Sequence, residues 1–181
     1  MRTLKYAILG LINREPMTGY DITKEFNSNV LANFWYANHS QVYPELSKLI
    51  DEGSISFEVV IQGEKLEKKL YTITEKGRQE LMKWLIKDDP LEATPKDIFR
   101  LRAYFSEFLD LDELSGIVAS QKKKHQKKLE SLSRIMDGAY PVPPSVKTRE
   151  FGDFIVLEGA IMREKYYISW LDDYLSHISR A

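Results

Sequence analysis

The chain has 181 residues with a formal net charge of −1, 43% hydrophobic content and no cysteine. That is enough to bury one or two modest cores, while the missing thiols exclude a disulfide framework or a thiolate metal site and suit the cytoplasm. There is no basic leader with an apolar run behind it and no run of 18 apolar residues, so neither secretion nor membrane spanning is expected.

The first predicted helix carries a core stripe of Leu4, Ile8, Leu11 and Ile12. Residues Glu15 to Gly19 read as a turn, after which Ile22 and Phe26 pack inward along a second helix. Thr18 and the backbone N–H groups behind it make a helix N-terminus, serving as an ordinary cap or as a phosphate seat. Asn33 to His39 is unusually aromatic for a loop, fit to plug a domain core or to line an interdomain pocket.

His39 to Gly53 reads as a third helix, with Val42, Leu46, Leu49 and Ile50 recurring at i, i+4, i+7 and i+8. Ser40 is the expected cap, Gly53 the expected stop, and Pro44 is expected in the first turn. The opposite face carries Gln41, Tyr43, Ser47 and Lys48, side chains suited to base edges or phosphates. Ile55, Phe57, Val59 and Ile61 then alternate like a half-buried strand, Gln62 to Leu66 turns, and Glu67 to Thr74 returns. Thr74 caps a fourth helix expected to turn Leu81, Trp84 and Leu85 inward. Helix, recognition helix, two-stranded wing and helix make up a winged helix-turn-helix. Lys65 would sit at the wing tip, with Lys68 and Lys69 behind it, placed for phosphate or a minor groove.

A boundary is expected at Lys87 to Pro90, dividing residues 1–87 from 88–181. Neither half is basic: the first has 12 Lys/Arg against 11 Asp/Glu, the second 14 against 16. A DNA footprint would therefore be local, drawing on Arg2, Lys5, Lys24, Lys48 and the wing lysines. Beyond the boundary the pattern is helical. Pro95 to Phe108 should place Ile98, Leu101 and Phe105 on one face. A long helix from Leu111 to Met136, ended by Gly138, is interrupted by a basic run from Lys122 to Lys128, read as a solvated face. After the stiff Pro141-Val142-Pro143-Pro144 connector, Arg149 to Ile178 carries two apolar stripes. One runs through Phe154, Leu157, Ile161, Ile168, Leu171, Leu175 and Ile178, the other through Phe151, Ile155, Met162, Tyr166 and Trp170. Two faces need two burial partners, and a second copy of the chain is the natural other one.

Enzyme signatures are missing. His39, His125 and His177 have no metal-ligand spacing, and no nucleophile elbow, phosphate loop or dinucleotide fingerprint occurs. No enzyme, cofactor or metal is expected.

Leu9-Gly10-Leu11-Ile12, Thr18-Gly19-Tyr20-Asp21-Ile22, Tyr43-Pro44-Glu45-Leu46 and Tyr71-Thr72-Ile73-Thr74 with Gly77, in that order, resemble the PadR family of bacterial repressors. Phe34-Trp35, His39-Ser40-Gln41, Ile61-Gln62-Gly63, Lys65 to Lys69, Arg163-Glu164-Lys165 and Ser169-Trp170-Leu171 look like its phenolic-acid-responsive branch. The resemblance implies a mainly α protein with a small β-wing, an N-terminal winged helix and a C-terminal helical dimerisation domain. It implies a homodimeric repressor on a palindromic operator, controlling a phenolic acid decarboxylase gene and released by a hydroxycinnamic acid such as p-coumaric acid. DNA contacts are expected from Thr18, Tyr20, Lys24, Ser40, Gln41, Tyr43, Pro44, Lys48, Lys65 and Lys68. The effector, a small aromatic carboxylic acid, is expected among Tyr6, Phe34, Trp35, His39, Phe151, Phe154, Arg163 and Lys165. The alternative is an adaptor that uses the winged helix for protein contacts.

Overall fold

The computed structural model describes residues 2–28, 30–62, 66–91 and 93–181, which form two compact units, Met1–Leu91 and Glu92–Ala181. In the first, α1 (Thr3–Arg14), β1 (Met17–Thr18), α2 (Gly19–Ser28) and α3 (His39–Asp51) precede the hairpin β2 (Ile55–Gln62) and β3 (Leu66–Ile73), and α4 (Glu75–Leu85) closes the unit. The apolar stripes of the helices meet the inner face of the hairpin around Ile8, Leu11, Ile12, Ile22, Phe26, Val42, Leu46, Leu49, Ile55, Tyr71, Ile73 and Leu81. This is the expected winged helix, with one strand more than the sequence pattern disclosed. Met17 pairs with Tyr71 and Thr18 with Leu70, so the antiparallel sheet runs β1-β3-β2. A two-residue strand has no periodicity of its own to betray it.

Several local expectations are corrected. Asn38, not Ser40, caps α3: its Oδ1 accepts the Gln41 N–H at 3.1 Å while Gln41 Oε1 accepts the Asn38 N–H at 3.1 Å, a reciprocal capping box. Ser40 only supports it, donating to Asn38 Oδ1 at 2.6 Å. Because the helix starts at His39, Pro44 lies in the second turn, so the Ser40 carbonyl has no helical N–H to accept. Gly53 does stop the helix at φ +68°, with the Ser54 N–H reaching the Leu49 carbonyl at 2.9 Å. Along β2 the alternation holds but burial fades, from Ile55 at 2% exposed to Val59 at 56% and Ile61 at 73%. The hairpin runs past the core of its own unit, which leaves Val59 and Ile61 exposed. Leu85, at the last turn of α4, is likewise exposed.

In the second unit α5 (Ile98–Tyr104) leads through a short 3₁₀ turn to α6 (Leu111–Ala139) and α7 (Arg149–Ile178). Asp97 caps α5, accepting the Arg100 N–H at 2.9 Å, so the helix begins later than Pro95. Its buried residue is Phe99, while Ile98, Leu101 and Phe105 face outward. The periodicity located a stripe without saying whether this chain covers it. An Asp110–Glu113 capping box starts α6, which runs through Gly138 rather than stopping there. Helices α6 and α7 run antiparallel, with Phe99, Leu114, Val118 and Leu171 forming one cluster. The basic run is not simply a solvated face. Lys122 pairs with Asp172, while His125 and Lys128 pair with Glu164, because these three residues fall on the side of α6 that faces α7. Along α7, Leu157, Ala160, Ile161, Glu164 and Leu171 are buried, whereas Ile155, Met162 and Tyr166 are exposed. No described helix is long and apolar enough to cross a membrane.

Candidate nucleic-acid interface and helical-unit cavity

Between α3, the start of α2 and β3 lies a groove of about 540 Å³, lined by Thr18, Gly19, Tyr20, Tyr43, Pro44, Ser47, Glu67, Lys68, Lys69 and Tyr71. It gathers five of the ten residues expected at DNA: Thr18, Tyr20, Tyr43, Pro44 and Lys68. Tyr20 is exposed, and the Lys68 ammonium lies 6.0 Å from its ring centre. Tyr43 is held between Gly19 and the His39 ring, whose centre is 4.0 Å away. The exposed phenols of Tyr20 and Tyr43 and the Lys68 ammonium on this concave face offer donors and a cation to a phosphate backbone. Lys69, 4.2 Å over the Phe57 ring, supplies another cation on the same strand.

The remaining expected contacts lie elsewhere. Gln41 and Ser40 are engaged at the α3 cap; Lys24 and Lys48 are exposed on α2 and α3; and Lys65 lies outside the described residues. Thr18 caps α2. Its Oγ1 accepts the Asp21 N–H at 3.2 Å and donates to Asp21 Oδ2 at 2.6 Å, and the same carboxylate accepts the Thr18 N–H at 3.3 Å. This helix N-terminus thus already has an anion of its own. Arg2 and Lys5 are bonded to Glu45, Glu52 and Glu80.

The helical unit holds a second concavity, of about 600 Å³, lined among others by Lys96, Asp97, Phe99, Arg100, Arg102, Gln121, His125, Arg163 and Tyr167. Of the eight expected effector residues, Arg163 alone lines it. The Arg100 guanidinium carbon sits 5.2 Å from the Tyr167 ring centre and 5.3 Å from that of Trp170. Tyr167 donates its hydroxyl to Asp97 at 2.7 Å and stacks on His125 at 4.0 Å. Burial, and then the bond to Asp97, push the Tyr167 phenol up to about 12. Asp97 is held below the usual carboxylate range: burial opposes ionisation, but the Arg100 N–H and the phenol outweigh it. Glu164 is 2% exposed. It accepts from His125 and from Lys128 at 3.2 Å, with the Arg163 Nε farther off at 3.9 Å. Arg100, Arg102 and His125 were not singled out for this role, since only packing carries three separate helices to one concavity.

The other expected effector residues are divided between the two units, Tyr6, Phe34, Trp35 and His39 in the first and Phe151, Phe154 and Lys165 in the second. Tyr6 stacks on Trp84 at 4.9 Å, and Trp35 packs partly buried against the winged-helix core. Phe34 is half exposed and His39 covers Tyr43. Phe151 and Phe154 lie 6.3 Å apart near the start of α7, with Tyr140 edge-on to Phe154 at 6.0 Å. Phe154 and Arg163 are nine residues apart on one helix, roughly 13 Å at 1.5 Å per residue. Lys165 is exposed.

Comparison with known proteins agrees over the whole length. Residues 8–83 match the transcriptional regulator PadR-like family, and residues 95–179 match the virulence activator alpha C-terminal family. The chain is 48% identical over 184 residues to the negative transcriptional regulator PadR of Bacillus subtilis (strain 168), covering 99% of this chain and 100% of that protein. The crystal structure of Bacillus subtilis PadR in complex with operator DNA superposes with a TM-score of 0.94 at 47% identity, over 98% of this chain and 99% of that one. The same protein in complex with p-coumaric acid gives 0.88 at 44% identity, with the same coverage. The chain belongs to the PadR-like family of transcriptional regulators.

Proposed function

We propose that this protein is a DNA-binding repressor of a phenolic acid decarboxylase gene, working in the cytoplasm as a homodimer and released by p-coumaric acid or a close hydroxycinnamate. The observation that carries the reading is the end-to-end similarity to a negative transcriptional regulator whose structures hold operator DNA and p-coumaric acid. The groove of the first unit supports it in chemical terms. Tyr20, Tyr43 and Lys68 hold the phosphate backbone, with Thr18 and Pro44 shaping the wall. Lys24 and Lys48 add charge from α2 and α3, Ser40 and Gln41 set the start of the recognition helix, and Lys65 remains a proposed phosphate contact on the grounds of its sequence position.

The outward stripe of α7, Ile155, Met162 and Tyr166, is the surface a second copy covers, so two recognition helices can meet the two halves of a palindrome. A carboxylate leaving water needs a cation or several donors. Arg163, beside Arg100 and Arg102 in the helical-unit cavity, is the carboxylate partner in this reading. Tyr6, Phe34, Trp35, His39, Phe151, Phe154 and Lys165 complete the candidate effector set.

Fluorescence anisotropy of a labelled decarboxylase-promoter fragment, with and without p-coumarate, tests the function directly. Binding that weakens on adding p-coumarate is expected. Failure to bind at low salt would favour the adaptor reading. Binding indifferent to p-coumarate would leave a repressor of another kind.

A further inference from the structure

Three carboxylates converge where α3 meets α1 and α4. Glu45 lies within α3, Glu52 caps its end, and Glu80 comes from α4. Two cations from α1 answer them. Arg2 donates to Glu45 Oε1 from Nε at 3.0 Å and from Nη2 at 2.6 Å, and from Nη1 to Glu52. Lys5 Nζ lies 2.7 Å from Glu52 Oε2 and 2.8 Å from Glu80 Oε2. Ser54 donates to Glu80 at 2.9 Å, and Lys76 donates to the Glu52 backbone carbonyl. Glu45 is buried, and Arg2 is the one cation bonded to it among the described residues. Lys5 is raised above its ordinary value although burial lowers it, and Glu52 is lowered chiefly by hydrogen bonds from Lys5 and Arg2.

Glu45 is two residues from Tyr43 and adjacent to Pro44, within about one helical turn of the groove wall. A phosphate backbone carries a charge every ~1.7 Å, and carboxylates within a Debye length of ~10 Å repel it. A chain with net charge −1 cannot mask such acids by bulk charge. A buried carboxylate stripped of its partner also loosens the helix that carries it. We propose that Arg2 is a positioning residue for operator binding: without touching DNA, it neutralises Glu45 and Glu52 and clamps the recognition helix to α1. The inference rests on the DNA-binding reading above.

The test titrates a labelled promoter duplex with the wild type, Arg2→Gln and Arg2→Gln/Glu45→Gln across a salt series, with thermal melts of each protein. Arg2→Gln should weaken binding about fivefold, with the slope of log affinity on log salt essentially that of wild type. The double variant, which removes the orphaned acid, should return to within about twofold of wild type. It also keeps the test decisive if Arg2→Gln alone folds poorly. A slope lowered by about one in Arg2→Gln, unrelieved by Glu45→Gln, would make Arg2 a phosphate contact and overturn the inference. So would an Arg2→Gln protein that binds like wild type. A wild-type chain that binds no duplex overturns the DNA-binding reading itself, and this inference with it.

Discussion

Gly19 lies directly against the ring of Tyr43: a Cβ at position 19 would come within 2.8 Å of Tyr43 Cζ. The atoms in the way are the far end of an exposed side chain, so the ring can swing aside at little cost in stability. Gly19→Ala should therefore leave the melting temperature nearly unchanged while displacing Tyr43 from the groove. Operator affinity should drop by roughly tenfold, about 1.4 kcal/mol. An unchanged affinity would detach Tyr43 from the DNA surface.

Gly77 makes the opposite case. A Cβ there would stand 2.0 Å from the backbone carbonyl oxygen of Ser54, at the junction where β2 begins under α4. Backbone cannot step aside as a side chain does. Gly77→Ala should destabilise the winged helix by about 2–4 kcal/mol, in the range of overpacking and strain. Urea denaturation followed by circular dichroism reads it directly.

Lys68 faces the groove, with Tyr20 beside it. Lys68→Ala should weaken cognate and scrambled duplexes alike and lower the salt slope by about one, because an ammonium meets backbone charge and reads no base. Gln41→Ala should differ in kind: the capping box is halved, lowering stability by about 0.5–1 kcal/mol. A thermal melt beside the binding series separates the two effects.

On α7 the exposed residues Met162 and Tyr166 belong to the stripe assigned to a second copy. Placing a charge there obliges any covering surface to bury it unpaired. If the proposed homodimer is held through this stripe, Met162→Glu/Tyr166→Glu should give a folded monomer by multi-angle light scattering and weaken operator binding through lost bivalency. A dimer of unchanged mass would move the interface elsewhere.

Glu164 ties the α6–α7 pair to pH. Burial alone would raise its carboxyl, but hydrogen bonds from His125 and Lys128 outweigh it and hold the group below its ordinary 4.5. A depressed carboxyl contributes its stability above the unfolded value and loses it as pH falls through the folded one. Wild-type stability should therefore fall as pH drops below about 4.5, and Glu164→Gln should flatten that part of the profile. Equal slopes in the two proteins would mean that the pair contributes nothing to acid sensitivity.

Much of the winged helix was legible because its signals are local. The Val42–Leu46–Leu49 stripe, the Gly53 stop and the β2–β3 alternation each depend on a few neighbouring residues, and each reappears in the structure. Errors gathered where a single residue type had two competent neighbours. Asn38 took the cap assigned to Ser40, and moving the helix start by two residues carried Pro44 into the second turn. The effector set was the least legible part. Aromatic type marked Tyr6 and Trp35, and both pack partly buried against the winged-helix core; the same apolar surface suits a core and a ligand, so residue type alone does not separate the two roles.

The sequence by itself determined the order of the main helices and the hairpin, the winged-helix class and the two-faced character of α7, since periodicity and turn chemistry are written residue by residue. Only tertiary structure decided which charges are spent and which are free. Arg2 and Lys5 read as candidates for DNA and are bonded to glutamates; Lys122, His125 and Lys128 read as a solvated run and face α7. Charge pairing is decided by side chains brought together from residues far apart in sequence, such as Arg2 with Glu45 or His125 with Glu164. The groove that unites Thr18, Tyr43 and Lys68 comes from the same cause, because it exists only once α2, α3 and β3 have packed on one core.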